Sequence, residues 1–214
     1  MQGIEKFRKE AVCINSVFPM LSLREEEDKP VLSGFLVLQE GELIIDQYQV
    51  RIIPLGEYPS RFPLVFETGG RIPRNIDWHV FETDGHCCIK CYPEELMICK
   101  KGITLESFIA GQVIPYFFNQ KHRELHGYFL SERQHGLDGH IEFFEELFET
   151  KDLRAIGRGI WALYKDELPH RTSVCFCGSR KKYRKCHKRL LSQLQVFSKQ
   201  ELQMFLNMIS KKIS

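Results

Sequence analysis

Four soft metal ligands fall within thirteen residues of this chain: Cys175, Cys177, Cys186 and His187, in the order C-x-C-x8-C-H. A tetrahedral ion such as Zn2+ needs two close ligand pairs folded onto each other, and Gly178-Ser179 supplies a turn between them. Three thiolates and one imidazole would close the coordination sphere, so this site is expected to be structural and not hydrolytic. A second constellation lies upstream, where Gly85-His86-Cys87-Cys88-Ile89 places two thiols beside a histidine. A thiolate accepts an acyl group from another thioester with little change in free energy. With a pKa of about 8.5, an ordinary cysteine is a few per cent thiolate near pH 7, already enough for such exchange. His86, Lys90, Lys100 and Lys101 would raise that fraction if they lie near Cys88.

The elements that must hold these groups follow from the pattern. Residues 4 to 20 read as a helix burying Phe7, Val12, Ile14 and Phe18, and Pro30 opens a strand-rich half. Val31 to Leu38, Leu43 to Ile53 and Leu64 to Thr68 read as strands, with a turn at Gly41 and a break at Pro54 to Pro59. Gly69 to Lys101 carries Pro73 and Pro93 and little periodicity, so it reads as a long structured loop, a kind that is commonly functional. From Thr104, a candidate cap, Leu105, Phe108, Ile109, Val113, Tyr116 and Phe117 recur at helical spacing. Further helices fit His140 to Glu149, Leu153 to Lys165 and Lys199 to Lys212, the last with Leu202, Phe205, Leu206 and Ile209 on one face. His122 and His126, one helical turn apart, are read as a solvated helix face and not as ligands.

Composition narrows the classes. The 214 residues suffice for one medium domain and an appendage, and 43% hydrophobic with 12% aromatic content supports a packed core. A net charge of +2 argues against a generally basic nucleic-acid binder, yet the charge is uneven. Arg171 to Leu191 holds eight Lys/Arg and no acid, whereas Asp138, Glu142, Glu145, Glu146 and Glu149 crowd one short stretch. The polar opening residues carry no secretory pattern, and no apolar run approaches the length of a membrane span. Eight cysteines in such a chain point to metal or catalysis before disulfides, and the expected location is cytoplasmic.

The upstream pattern resembles the ubiquitin-conjugating-enzyme (UBC) fold. There a Tyr-Pro pair, a short strand, a His-Pro-Asn segment and Gly-x-x-Cys-Leu follow in order. Here Tyr58-Pro59, Val65 to Thr68, Ile72-Pro73-Arg74-Asn75 with Trp78-His79-Val80, and Gly85-x-x-Cys88-Ile89 take those places. The form is similar to divergent prokaryotic conjugating enzymes of CBASS-type anti-phage operons, over roughly residues 1 to 130. The resemblance implies a Cys88 thioester and an oxyanion donor shortly before it. Asn75 stands thirteen residues before Cys88 and His79 nine, and spacing favours His79. It also implies a protein C-terminus as the acyl group, from a cGAS-like nucleotidyltransferase or a ubiquitin-like modifier. No segment resembles a nucleotide-binding loop, so activation falls to a separate adenylating enzyme or an already activated substrate.

Cys-x-Cys-Gly-Ser-x-x-Lys-Tyr-x-x-Cys-His resembles the SEC-C zinc motif, which assigns Cys175, Cys177, Cys186 and His187 as ligands of a structural zinc. Zinc in short modules contributes on the order of 10 kcal/mol to folding. The surrounding cations suit RNA phosphates, an acidic partner or the chain's own acidic helix, with protein docking favoured. Phe176 and Tyr183 are too few aromatics for base stacking.

The expected architecture is therefore α+β. A UBC-like antiparallel sheet flanked by helices occupies 1–135, a helical extension 136–168, and a zinc module with a closing helix 169–214. The rival readings of the chemistry are a non-catalytic zinc-dependent adaptor binding protein or nucleic acid, and a dithiol oxidoreductase using Cys88 and Cys91. A second zinc site drawn from His86, Cys87, Cys88, Cys91 and Cys99, and cysteines serving only as small buried side chains, remain open at this point. Against the redox pair stands Pro93, which fits poorly with the helix that usually follows such a motif.

Overall fold

The computed structural model describes residues 2–213. It is an α+β protein of two compact units. One is built from the chain up to Lys90 together with Lys101–Glu132, the other from Cys91–Lys100 together with the chain from Arg133 onward.

The first unit opens with helix α1 (Gln2–Ala11). Four strands follow: β1 (Leu21–Glu26), β2 (Lys29–Glu40), β3 (Leu43–Ile53) and β4 (Leu64–Glu67). They form one antiparallel sheet in chain order, β1-β2-β3-β4. β3 shows the two-residue period of a half-buried strand: Tyr48, Val50 and Ile52 are buried while Gln47 and Gln49 face out. β1 and β2 are joined by Glu27 and Asp28, both left-handed (φ 49° and 62°), the backbone that a two-residue hairpin requires.

Behind the sheet runs a helical stretch composed of α3 (Leu105–Phe108), one π-helical segment (Ile109–Val113) and α4 (Ile114–His126). Thr104, the candidate cap, and Ser107 cap its start reciprocally. Phe108, Ile109, Val113 and Phe117 are fully buried, and the Phe117 and Tyr48 rings meet at 4.7 Å.

The second unit contains α2 (Tyr92–Lys100), α5 (Gly136–Leu147), α6 (Leu153–Lys165), α7 (Lys188–Leu194) and α8 (Lys199–Ile213). Its core gathers Phe144, Phe148, Ile156, Ile160, Leu191, Phe205 and Ile209, and Cys175 and Tyr183 belong to that same core. Asp152 caps α6 through the amides of Arg154 and Ala155.

Three expectations need correction. The first helix ends at Ala11, Val12 is 62% exposed, and Leu21 starts a strand nine residues before Pro30. β1 was not legible because Arg24, Glu25 and Glu26 interrupt its apolar alternation. The stretch 69 to 101 is not all loop, since α2 occupies its end. Pro93 is no obstacle to that helix: it sits in the first turn, where its missing N–H would have had no intrahelical partner. Among the described residues, no helix is long and apolar enough to cross a membrane.

Candidate functional sites

The loop leading to Cys88 is pinned at three places. Glu67, at the end of β4, accepts the amides of Gly69 and Arg71 with its carboxylate (2.7 and 3.0 Å). Arg71 then reaches Asp46 through two hydrogen bonds (2.9 and 2.8 Å), Glu124 at 2.7 Å, and lies over the Tyr48 ring at 4.1 Å. The hydrogen bonds from Arg71 hold the Asp46 carboxyl well below the usual carboxylate range, despite the opposing effect of its partial burial.

Next comes a 3-10 turn, Ile76–Trp78, capped by Asn75, whose Oδ1 accepts from the Asp77 amide at 2.7 Å. Carbonyls at the end of such a turn lack intrahelical partners. Here α4 supplies them from one stripe. The Tyr116 hydroxyl donates to His79 O at 2.9 Å, Gln120 Nε2 to Trp78 O at 2.7 Å, and Arg123 to Asp77 O. The Arg123 guanidinium also stacks on Trp78 (4.2 Å) and Phe129 (4.5 Å). His79 closes the turn in the left-handed region (φ 52°), with its ring edge-on to Phe129 at 4.9 Å.

The chain returns as a short antiparallel ladder. Val80 pairs with Cys87 and Phe66 with His86; the Cys87 amide donates to Val65 O and the Cys88 amide to His79 O, each at 2.7 Å. The two thiols thereby differ. Cys87 points into the core at 5% exposure, and burial pushes its thiol up to about 12 against the weaker opposing effect of a Tyr116 hydrogen bond. Cys88 is half-buried.

Of the sequence-derived candidates, His79 and Cys88 are therefore joined through the backbone, and Asn75 caps the turn that carries His79. Cys91 lies immediately before α2 in the second unit. Lys100 is paired with Glu201 at 3.0 Å there. The residues sequence reasoning missed are Gln120 and Arg123, with Tyr116 read only as core. Their i, i+4, i+7 spacing on one helix was the available signal.

In the second unit, Cys175, Cys177, Cys186 and His187 present ligand atoms that all lie within 4.8 Å of one another. His187 Nδ1 is 3.3 Å from Cys175 Sγ and 3.2 Å from Cys186 Sγ, and Cys177 Sγ is 3.6 Å from Cys186 Sγ. The edges of a tetrahedron around zinc are about 3.8 Å for S–S and about 3.5 Å for S–N, so the group suits a tetrahedral metal.

His187 Nε2 stands 2.9 Å from Phe148 O. A carbonyl only accepts, so Nε2 carries the proton and the Nδ1 lone pair faces the thiols, the outer-shell arrangement typical of metal-bound histidines. Gly178 takes the left-handed turn expected of it (φ 79°). Burial raises both the Cys177 and Cys186 thiols, but at Cys177 the hydrogen bonds with Ser179, Cys186 and Cys175 outweigh it and lower the thiol, whereas Cys186 stays raised.

The module is locked to α6. Arg158 Nε donates to Phe176 O at 3.0 Å, and a Cβ on Gly159 would lie 2.7 Å from the Phe148 ring and 2.8 Å from Phe176. Arg171, Arg180, Lys181, Lys182, Arg184, Lys185, Lys188 and Arg189 are all exposed. Among the described residues, none of these eight forms an ion pair, whereas Asp138 pairs with Lys212 and Glu146 with Arg133. The acidic helix thus finds its cations elsewhere.

Residues 171–189 match the family model of the SEC-C motif. No curated protein and no solved structure matches the chain.

Proposed function

We propose that this protein is a transferase of the ubiquitin-conjugating type, carrying an acyl group as a thioester on Cys88. The observation that carries the reading is the division of labour between adjacent thiols. Cys87 is sunk in the core with its proton held tightly, and Cys88 sits half-buried at the end of a ladder whose backbone is fixed by His79 and α4. An N-terminal helix, a four-stranded meander, a pinned loop and a cysteine follow in the order expected of a UBC-like domain. His79 and Asn75 remain the proposed oxyanion donors; Asn75 Nδ2 is the amide donor type such chemistry uses.

By the resemblance, the acyl group is the C-terminus of a protein, a cGAS-like nucleotidyltransferase or a ubiquitin-like modifier, delivered by a separate adenylating enzyme in bacterial anti-phage defence. The metal of the second unit is proposed to be a structural zinc held by Cys175, Cys177, Cys186 and His187. Bound there, it supplies a cross-link and no open coordination position. Such a protein would work in the reducing cytoplasm.

A second reading is favoured by one observation. Eight exposed cations without ion pairs surround the metal group, so a zinc-dependent adaptor that docks an acidic partner, with no chemistry at Cys88, accounts for the second unit. Intact mass under non-reducing conditions separates the two, using protein co-expressed with its genomic neighbours as wild type and as Cys88→Ser. The conjugating reading expects a protein-sized adduct that thiol releases from wild type and that persists as an ester on the serine variant. Its absence from both would leave the adaptor.

A further inference from the structure

Asp84 and His86 take no part in the clamp formed by α4, and they stand four and two residues before Cys88. The turn before them is closed by the Gly85 amide donating to Phe81 O at 2.8 Å, with Gly85 left-handed at φ 86°. At its end, Asp84 Oδ1 meets both the His86 amide (3.2 Å) and the ring Nδ1 (2.6 Å). The ring lies on Phe81 at 4.2 Å with 24° between planes, and edge-on to Phe66 at 6.4 Å. A carboxylate accepts, so Nδ1 carries the proton and Nε2 presents a basic lone pair. The aromatic contacts and the carboxylate fix the ring as a base is fixed by an orienting partner.

The ladder decides which thiol this imidazole serves. Alternation along residues 86 to 88 sends Cys87 into the core and leaves His86 and Cys88, both half-buried, on the opposite side. Two residues of extended chain span about 6.6 Å between Cα atoms, a gap that an imidazole and a thiol close directly or through one water.

We infer that Asp84–His86 is the proton carrier of the Cys88 nucleophile, with His86 Nε2 as base and Asp84 as its positioning residue. As Cys88 Sγ attacks the donor's acyl carbon, its proton moves to Nε2 and a new S–C bond forms. The donor's C–S bond then breaks, and the imidazolium returns the proton to the departing thiolate. Asp84 stabilises the imidazolium between these steps. The inference rests on Cys88 being the nucleophile of the proposed function, and not on which protein is the donor.

His79 is the other imidazole of this unit beside the thiol, with a ring nitrogen within 4.8 Å of Cys88 Sγ. Glu67, beside Phe66 on β4, has its carboxylate occupied by the amides of Gly69, Arg71 and Ile72. Arg74 lies alongside Gly85, where its Nε would be 3.4 Å from an added Cβ, and Lys90 follows Cys88 by two residues.

The test is the pH-rate profile of Cys88 alkylation by iodoacetamide on the full metal-loaded chain, from about pH 5 to about pH 9, with the modified residue mapped by mass. His86→Gln and Asp84→Asn are compared with wild type, and Asp84→Glu serves as the conservative rescue. His86→Gln should slow the reaction about tenfold or more at pH 7 and move the profile to that of an ordinary thiol. Asp84→Asn should lose the same low-pH limb, and Asp84→Glu should restore it.

Superimposable profiles for wild type and a folded His86→Gln would overturn the inference. Should that variant not fold, the imidazole nitrogen spectrum of wild type decides instead: a protonated Nδ1 and bare Nε2 support the dyad, and the opposite tautomer sinks it. Alkylation needs no acyl donor. A wild type that forms no adduct but shows the His86-dependent profile loses the conjugating reading and keeps the dyad, while equal adduct rates in wild type and His86→Gln remove the dyad alone.

Discussion

The amide of Cys88 donates to the carbonyl oxygen of His79 at 2.7 Å, and the same oxygen accepts the Tyr116 hydroxyl at 2.9 Å. One backbone atom thus ties the candidate nucleophile, the candidate oxyanion donor and α4 together. Both lone pairs of that carbonyl are engaged, so His79 cannot rotate its peptide without breaking the ladder at Cys88.

Tyr116→Phe should test that tie. It removes one donor to a carbonyl and leaves the ring packing, at a cost of about 1 kcal/mol. The expected outcome is a folded protein with a small loss in chemical-denaturation midpoint and faster amide exchange at Cys88 and His79. Exchange unchanged at those two amides would show that the clamp does not hold the ladder.

Cys87 and Cys88 should separate in reactivity. With the Cys87 thiol at about 12, its thiolate is scarce at pH 7.5, whereas an ordinary thiol near 8.5 is about one-tenth ionised. Timed alkylation with site mapping should label Cys88 at least about a hundredfold faster than Cys87. Comparable rates would mean that the ladder opens readily.

The same burial gives a pH dependence of stability. Folding raises the Cys87 pKa from about 9 to about 12, so the folded state holds a proton that the unfolded chain releases. Its contribution is complete below about pH 9 and is lost as pH rises toward about 12, with a slope of at most about 1.4 kcal/mol per pH unit for one proton. Unfolding free energies of wild type and Cys87→Ala between about pH 9 and about pH 11 should differ in slope, the variant being flatter. Parallel lines would indicate that Cys87 ionises equally in both states.

Metal removal should reach well beyond residues 171–189. Cys175 and Tyr183 belong to the core that includes Phe148, Ile156, Ile160 and Phe205, and His187 Nε2 holds Phe148 O. On the proposed zinc reading, chelation, or Cys186→Ser, should therefore increase hydrogen exchange in α5 and α6 as well as in the module, since a structural zinc contributes on the order of 10 kcal/mol. Exchange confined to the module would make it an independent fold.

Gly159→Ala should disturb the module from outside it. The added methyl would meet Phe148 and Phe176 at under 3 Å, and relief requires both rings to move. A loss of about 1–3 kcal/mol is expected, together with weaker metal retention in a competition with a chromogenic chelator. Unchanged retention would show that Phe176 shifts without consequence for the ligands.

What could be read in the residues differs between the two sites for a physical reason. The candidate metal ligands are close in sequence, so C-x-C, Gly178 and Cys-His already bring them to one turn, and local backbone rules suffice. The helical stretch from Thr104, α5, α6 and α8 were legible because buried apolar side chains recur with the helical period and Thr104 caps the first; α7 was not read. β1 was not, because its second half is charged and its pairing with β2 is a tertiary fact. α2 was hidden by a proline that reads as a breaker until its place in the first turn is known.

By itself the sequence determined the candidate ligand set, three of the four strands, most of the helices, and that a cysteine pair follows Gly85. Only the tertiary structure decided which of the two thiols is buried. It also decided that three residues of α4 hold the carbonyls of Asp77, Trp78 and His79, and that Asp84 orients His86. Those are consequences of strand alternation and long-range hydrogen bonding, which depend on partners distant in the chain; neighbouring Cys87 and Cys88 are alike in type and differ only in what each one faces.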